Sequence, residues 1–153
     1  MKNKSTGDLD NILTHTHPED FDKFIDDNSD EFFSKDKAFS DYMHSILNSK
    51  GLQQQDVFIN ADVPERYGYK LLSEQKKTRK RDVILRICYA CFMTVDETNR
   101  ALKLYGMSPL YSRNSRDAFI IVYFNDHQGS IQEMSEALII HGFDPLLSCG
   151  TNE

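Results

Sequence analysis

The segment at residues 81–93 restricts the folds open to this chain more than any other part of the sequence. Most of its side chains are apolar, and on a helix they point in nearly every direction. Such a helix is stable only when neighbouring elements cover it. Hydrophobic residues make up 39% of the 153 residues, which is enough apolar material for that cover. The sequence therefore predicts a compact domain with a buried central helix.

Helix-start signals recur along the rest of the chain. Thr16, Thr94 and Ser130 each precede a Glu by three positions, which is the spacing of a capping box. Glycine follows several of the predicted helices, where a left-handed residue commonly ends a helix. No long stretch alternates with period two, although residues 119–124 alone fit a strand as well as a helix. We predict an all-α protein of about seven or eight short helices, at residues 16–27, 38–49, 53–61, 64–75, 81–93, 94–105, 115–124 and 130–142.

Polar and helical segments are expected to flank the central domain. Residues 1–15 carry few apolar side chains and are predicted to form a disordered or frayed acidic arm. Residues 16–105 hold the central domain with a leading helix, joined to it by a connection with a short turn around Phe32 and Phe33. Residues 106–147 are predicted to form a helical extension packed on that domain.

The sequence also favours a cytoplasmic protein that has no membrane partner. No apolar run approaches the roughly 18–20 residues that a membrane span needs. Residues 1–22 contain no continuous apolar stretch of signal-peptide length. Three Cys are too few for a disulfide framework in a chain of this size.

Charge is distributed unevenly along the chain. The net charge of −6 argues against non-specific binding to nucleic acid. Residues 1–37 carry five Lys against ten acidic residues, whereas residues 66–86 carry eight cations against two acidic residues. We call these eight cations the basic island: Arg66, Lys70, Lys76, Lys77, Arg79, Lys80, Arg81 and Arg86.

Two short predicted helices meet at a break at residues 62–64, just before the basic island. In a DNA-binding helix-turn-helix, the second helix is exposed and polar at its N-terminal end, and nearby cations meet phosphates. The residues that fit these two requirements are Glu65, Arg66, Tyr67, Tyr69, Lys70, Lys76, Lys77, Arg79 and Lys80. The same pattern fits an ordinary helical hairpin with a solvated basic face.

The segment Gly51-Leu-Gln-Gln-Gln-Asp-Val57, followed by Asp62-Val-Pro64 and Tyr69-Lys-Leu71, resembles the phage-repressor-type (Xre-type) helix-turn-helix. In that family a Gly-Leu pair precedes a Gln that opens the first helix of the motif. The resemblance covers about residues 38–105. It implies a lambda-repressor-like, five-helix DNA-binding domain of a bacterial or phage regulator, here with an N-terminal helix and a C-terminal helical hairpin. The contacts that it implies are Gln54 and its neighbour Gln55 near phosphates, and Glu65, Arg66 and Lys70 on the groove-facing helix.

Three residues depart from the family pattern. Phe58 stands where the family usually has Ala, Asp62 stands at the turn Gly, and Gly68 stands where a branched apolar residue is usually buried. Asp adopts the left-handed conformation of a turn more readily than most residues. We hypothesise that Phe58 fills the space that Gly68 leaves empty.

Three other features could be either functional sites or ordinary parts of the fold: the cysteine pair, the histidine pair and the segment after residue 105. Cys88 and Cys91 have metal or redox spacing, but they lie within an apolar helix, which favours buried packing. His15 and His17 are two residues apart, a spacing that suits shared ligation on a helix poorly. The segment after residue 105 resembles accessory regions of Xre-like regulators. It fits either a hairpin that extends the core or a surface for dimerisation or a partner.

The sequence leads to two functional hypotheses. The first is a DNA-binding transcriptional regulator that uses a helix-turn-helix at about residues 53–75. The alternative is a degenerate helix-turn-helix reused as a protein-interaction module without DNA binding, which would meet an acidic protein partner. A homodimer is compatible with both. The sequence contains no phosphate-binding loop, zinc-protease motif or nucleophile elbow, so neither an enzyme nor a cofactor or metal site is expected.

Overall fold

A computed structural model describes residues 4–28 and 37–149, and the chain divides into two compact units at residues 1–36 and 37–153. The described part of the chain is all-α, as predicted, and contains no strand. In the first unit the elements are α1 (Thr6–Thr14), a 3₁₀ helix (Pro18–Asp20) and α2 (Phe21–Asp27). In the second unit the elements are α3 (Ala38–Lys50), α4 (Gln54–Ala61), α5 (Glu65–Leu72), α6 (Arg81–Ala90), α7 (Val95–Tyr105), α8 (Ser115–Asp126) and α9 (Ile131–Ile140).

The first unit differs from the prediction at its beginning. Helix α1 lies where a disordered or frayed arm was predicted. Its start is fixed by a capping box in which Asp8 takes the place of the usual Glu, with both Ser5–Asp8 hydrogen bonds at 3.1 Å. Thr16 does not cap the next helix, because its hydroxyl donates to the carbonyl of Ile12 in α1. The 3₁₀ helix therefore begins at Pro18, and the predicted turn at Phe32 and Phe33 lies outside the described residues.

Helix α6 is the buried centre of the second unit. Val83, Ile84, Ile87 and Cys88 are completely inaccessible to solvent, and α4, α7 and α9 pack against the helix. This arrangement confirms the prediction of a covered central helix. The helix ends earlier than predicted, and Phe92 adopts a left-handed conformation with φ of 56°.

The predicted break between α4 and α5 is confirmed. Asp62 ends α4 in the left-handed region, with φ of 54°, and Pro64 occupies the N-cap position of α5. The side chain between them, Val63, is buried, which anchors the turn in the core. Helix α5 ends at Leu72, three residues before the predicted end, and the chain then turns at Glu74 with φ of 61°.

Helices α4 and α5 approach closely where Phe58 faces Gly68. The Phe58 ring is fully buried, and a Cβ atom on Gly68 would lie only 2.5 Å from its Cδ1 atom. The ring also makes an edge contact with Tyr69, with the centroids 5.1 Å apart. The aromatic ring therefore occupies the space next to the bare backbone, as the compensation hypothesis requires.

This contact predicts that Gly68→Ala lowers the free energy of unfolding when residue 58 is phenylalanine and raises it when residue 58 is alanine. In the natural sequence the new Cβ collides with the ring, and we expect a loss of about 1–3 kcal/mol in the free energy of unfolding. Phe58→Ala alone should cost about 3–5 kcal/mol, because it leaves a cavity. In that background Gly68→Ala should be stabilising by about 1 kcal/mol, because alanine favours the helix and the ring is gone.

The measurement is denaturant unfolding of the natural protein and the three variants of this double-mutant cycle. The matched control is Gly68→Ala in the background of Phe124→Ala, another buried phenylalanine, which packs on Tyr89 instead. There Gly68→Ala should destabilise the protein as it does in the natural sequence. Additive effects at positions 58 and 68 would contradict the hypothesis.

Two reciprocal ion pairs join the starts of α6 and α8. Arg81 donates to both carboxylate oxygens of Asp117, at 3.0 and 2.7 Å. Arg116 donates to both oxygens of Asp82, at 3.1 and 2.9 Å. Both carboxylates lie in the first turn of a helix, where the helix dipole favours negative charge. The segment after α9 joins the same network, because the backbone amide of Leu147 donates to Asp82.

The core-facing side of α8 differs from the side that the apolar pattern of the sequence predicts, which consists of Phe119, Ile120, Val122 and Tyr123. The buried residues are Asp117, Ile120 and Phe124, whereas Val122 is 61% exposed. Val122 is two positions from both Ile120 and Phe124, about 200° around the helix, so it cannot share their face. Ile139 of α9 is also exposed, because it lies about 100° around the helix from the buried Leu138.

The network around Asp117 lowers the pKa of its carboxyl group. Burial on its own would raise this pKa, but hydrogen bonds from Arg81 and from the Tyr111 amide oppose that effect. The positive charges of Arg81 and Arg116 act in the same direction, so that the pKa is below its ordinary value of 3.8. A carboxyl group whose pKa is lower in the fold stabilises it at pH values above its unfolded pKa. The contribution is lost as the pH falls through the folded pKa.

We therefore expect Asp117→Asn to destabilise the fold at neutral pH and to weaken its acid sensitivity. The loss at pH 7 should be on the order of 2–3 kcal/mol, because charged hydrogen bonds are broken. Below about pH 4 the difference from the natural protein should shrink. Denaturant unfolding over a pH series measures both effects. The control is Asp126→Asn, an exposed carboxyl at the end of α8, which should change stability by less than about 0.5 kcal/mol at any pH.

Candidate nucleic-acid interface

The outer face of α5 presents polar and charged side chains to solvent. Glu65 and Arg66 are exposed, Tyr69 is 41% exposed, and Lys70 is half-buried. Tyr67, by contrast, is only 6% exposed, so its prediction as a surface contact is wrong. The helical period explains the error, because positions 67, 68, 71 and 72 form one continuous stripe that faces the core.

The start of α4 lies beside the middle of α3. Gln54 is half-buried and Gln55 is exposed. The side-chain nitrogen of Gln54 lies 3.4 Å from Nε2 of His44, whose Nδ1 hydrogen-bonds to the carbonyl oxygen of Ser40 at 2.7 Å. An open groove of about 220 Å³ runs from here to α5. Its lining residues are His44, Gln54, Tyr69, Lys70, Ser73 and Gln75.

The segment after α5 is held in place by three anchors. The backbone amide of Lys76 donates to the carbonyl of Lys70 at 3.1 Å, which returns the chain to the end of α5. Thr78 is buried, and its amide donates to the Tyr105 hydroxyl at 2.7 Å. The carboxylate of Glu74 accepts a hydrogen bond from the amide of Ser40 in α3.

The buried Thr78 divides the cations of this segment into two groups. Lys76 and Lys77 precede it, and Lys77 lies 3.8 Å from Glu74 and over the Tyr105 ring. Arg79 and Lys80 follow it and line a different groove of about 350 Å³, whose wall includes Arg116, Asp144 and Pro145. The structure therefore brings Lys76 to the end of α5 but places Arg79 and Lys80 beside the C-terminal segment.

Two members of the basic island stabilise the fold. Arg81 forms the ion pair with Asp117 described above. Arg86 is 5% exposed, and its guanidinium donates to the carbonyls of Ala61, Leu146 and Leu147. In the described part of the chain, four other members have no carboxylate within ion-pair distance: Arg66, Lys70, Lys76 and Arg79.

The sequence pattern does not single out His44, which lines the groove from α3. Along the chain His44 is an isolated histidine with no ligand-like spacing to other residues. A signal was present in Gly51, whose left-handed conformation ends α3 and turns the chain back. The turn brings the first residue of α4 beside a position one to two turns earlier in α3.

Cys88 and Cys91 are buried and inert. Both side chains are completely inaccessible, which confirms the prediction of buried packing. Burial raises the pKa of the Cys91 thiol to about 12 and raises that of Cys88 well above its ordinary value. The reactive thiolate form is therefore scarce at neutral pH. Among the described residues, no group of three or more His, Cys, Asp or Glu is arranged to hold a metal ion.

This burial predicts selective modification of the three cysteines. In the folded protein at neutral pH, an alkylating reagent should modify the half-exposed Cys149 and leave Cys88 and Cys91 unmodified. In denaturant all three should react. Peptide mapping by mass spectrometry distinguishes the sites. Labelling of Cys88 in the folded protein at the rate of Cys149 would contradict the burial.

Comparison with known proteins gives no match. The chain matches no protein-family model, no curated protein and no solved structure. No helix among the described residues is long and apolar enough to cross a membrane.

Proposed function

We propose that the protein binds duplex DNA and regulates transcription, with α3 to α7 as a lambda-repressor-like domain. The single observation that carries the proposal is the outer face of α5. Arg66 and Lys70 on this face have no carboxylate partner among the described residues, and the turn at Asp62 sets the helix apart from α4. A second helix that is exposed, polar and cationic is what a major groove accepts.

The side chains around α5 have complementary roles in this proposal. Arg66 and Lys70 reach base edges, because cationic side chains pair with guanine acceptors in the major groove. Gln54 and Gln55 at the start of α4 and the ammonium group of Lys76 contact backbone phosphates. Glu65, Tyr69 and Lys77 join them at the edge of the interface next to α5. Arg79 and Lys80 line the groove beside the C-terminal segment and would meet phosphates beyond that edge.

The acidic balance of the chain makes the position of these cations important. A net charge of −6 repels DNA at long range, so binding depends on the local excess of positive charge near α5. Salt screens both the long-range repulsion and the local attraction, over a distance of roughly 10 Å. The proposal therefore requires binding that weakens steeply as salt is added.

The salt dependence of DNA binding tests the proposal. If about four phosphates are neutralised, the logarithm of the association constant should fall with the logarithm of salt concentration with a slope near −3.6. Charge reversal of Lys76 and Lys77 to Glu should flatten the slope to about −1.8, because two phosphate contacts are lost. Fluorescence anisotropy with a labelled mixed-sequence duplex provides the affinities.

A matched control separates local contacts from total charge. Charge reversal of Lys103 in α7 and of Arg113 before α8 changes the net charge by the same amount, at exposed positions away from α5. This double variant should keep the slope of the natural protein. Equal slopes for all three proteins would contradict the proposed interface, and absence of binding at low salt would contradict the proposed function.

A second candidate function is supported by exposed apolar residues on the last two helices. Ile140 is 81% exposed, and Val122 and Ile139 are more than half exposed. Such residues suit a protein interface in a homodimer or with another protein partner. A module that binds protein rather than DNA would capture a stoichiometric partner and leave the duplex unbound at low salt. Light scattering and affinity capture measure these outcomes.

A further inference from the structure

The groove between α3, α4 and α5 collects hydrogen-bond donors from three helices. His44 comes from the middle of α3, Gln54 from the start of α4 and Lys70 from the last turn of α5. The Lys70 ammonium has no carboxylate partner among the described residues. The groove opens on the same side of α5 as the proposed contact face, since Tyr69 and Lys70 belong to both.

The hydrogen bonds of His44 fix which ring nitrogen faces the groove. Nδ1–H donates to the carbonyl oxygen of Ser40 at 2.7 Å, so Nε2 of the neutral ring carries a lone pair. The Gln54 side-chain nitrogen lies 3.4 Å away and points an N–H toward that lone pair. When the ring is protonated, Nε2 also becomes a donor, and two donors then face each other. An oxygen with negative charge that approaches both nitrogens from the groove can accept from both.

The groups around His44 determine how an anion would be held. From α5 it is faced by Tyr69 and Lys70, and from α4 by the neutral Gln54. The carboxylate of Glu74 lies on the far side of Ser40, whose amide it accepts, and it is engaged with Lys77. The groove thus offers an ammonium group, an amide and an imidazole without a carboxylate lining it.

We propose that His44, Gln54 and Lys70 form a binding site for one backbone phosphate of duplex DNA, and that the site binds more tightly when His44 is protonated. This inference rests on the proposed function and refines it, because it assigns Lys70 to a backbone phosphate in place of a base edge and leaves Arg66 to the bases. The phosphate oxygen accepts from the imidazolium Nε2–H, from the Gln54 amide and from the Lys70 ammonium, which are charge-assisted hydrogen bonds of the strong kind. DNA binding should therefore be tighter at lower pH, where protonation of the ring is favoured.

The test compares duplex affinity at about pH 8 and about pH 6, at constant salt, for the natural protein and two variants. The natural protein should bind roughly fivefold more tightly at the lower pH. His44→Gln keeps a polar side chain but cannot be protonated, and should lose most of this gain. His141→Gln is the matched control, because its imidazole is exposed at the end of α9, and it should retain the pH response.

A second measurement identifies the lost contact as a phosphate contact. At the lower pH the salt slope of His44→Gln should be smaller in magnitude by about 0.9, the value for one phosphate. Lys70→Gln should reduce the slope at both pH values. Circular dichroism melts show whether the variants fold as the natural protein does, and inorganic phosphate as a competitor should weaken binding of the natural protein more than that of His44→Gln.

The outcomes separate this inference from the proposed function. Duplex binding in which His44→Gln retains the pH response and salt slope of the natural protein overturns the phosphate site and leaves the proposed function intact. Absence of duplex binding by the natural protein at low salt and either pH overturns both. The phosphate site is supported if His44→Gln loses the pH response while the natural protein and His141→Gln retain it.

Discussion

The exchange of charges between the starts of α6 and α8 is the interaction on which the geometry of the second unit depends. Each helix begins with an Arg-Asp pair, and each arginine binds the aspartate of the other helix. Arg81 is also the residue at which the basic segment after α5 ends. The same contact that joins the C-terminal helices to the centre therefore fixes one end of the segment that carries Lys76 and Lys77.

Some cations of the basic island stabilise the fold, and the others lie at the surface. The Arg86 guanidinium donates hydrogen bonds to a carbonyl at the end of α4 and to carbonyls of the C-terminal segment. A positive charge is favourable at the C-terminus of a helix because of the helix dipole. Arg81 serves the ion-pair network. The remaining cations of the basic island lie around α5 and the segment after it. Fewer positive charges are therefore available to a ligand than the eight cations counted in the sequence.

Local signals in the sequence were sufficient for much of the fold. Thr94 and Glu97 form the predicted capping box of α7, and the apolar run of α6 identifies the buried centre. Features that depend on helix phase or on distant partners were harder to predict. Tyr67 was placed on the wrong face because the helix-turn-helix pattern was followed instead of the helical period, and α1 was missed because Asp8 replaces the usual Glu of the box. His44 belongs to the candidate site only because α3 and α4 pack together in the fold. The spacing of residues along the chain does not predict that contact.

The close approach of Phe58 to Gly68 has a consequence for how this chain evolves. The ring occupies the volume into which any side chain at position 68 would extend, so the two positions have to change together. An α5 helix with a branched residue at position 68 would bring that side chain into the volume of the ring and could not pack against α4 as it does here. The outward-facing residues of α5, such as Glu65, Arg66 and Tyr69, lie outside this volume and can therefore change without disturbing the contact between α4 and α5.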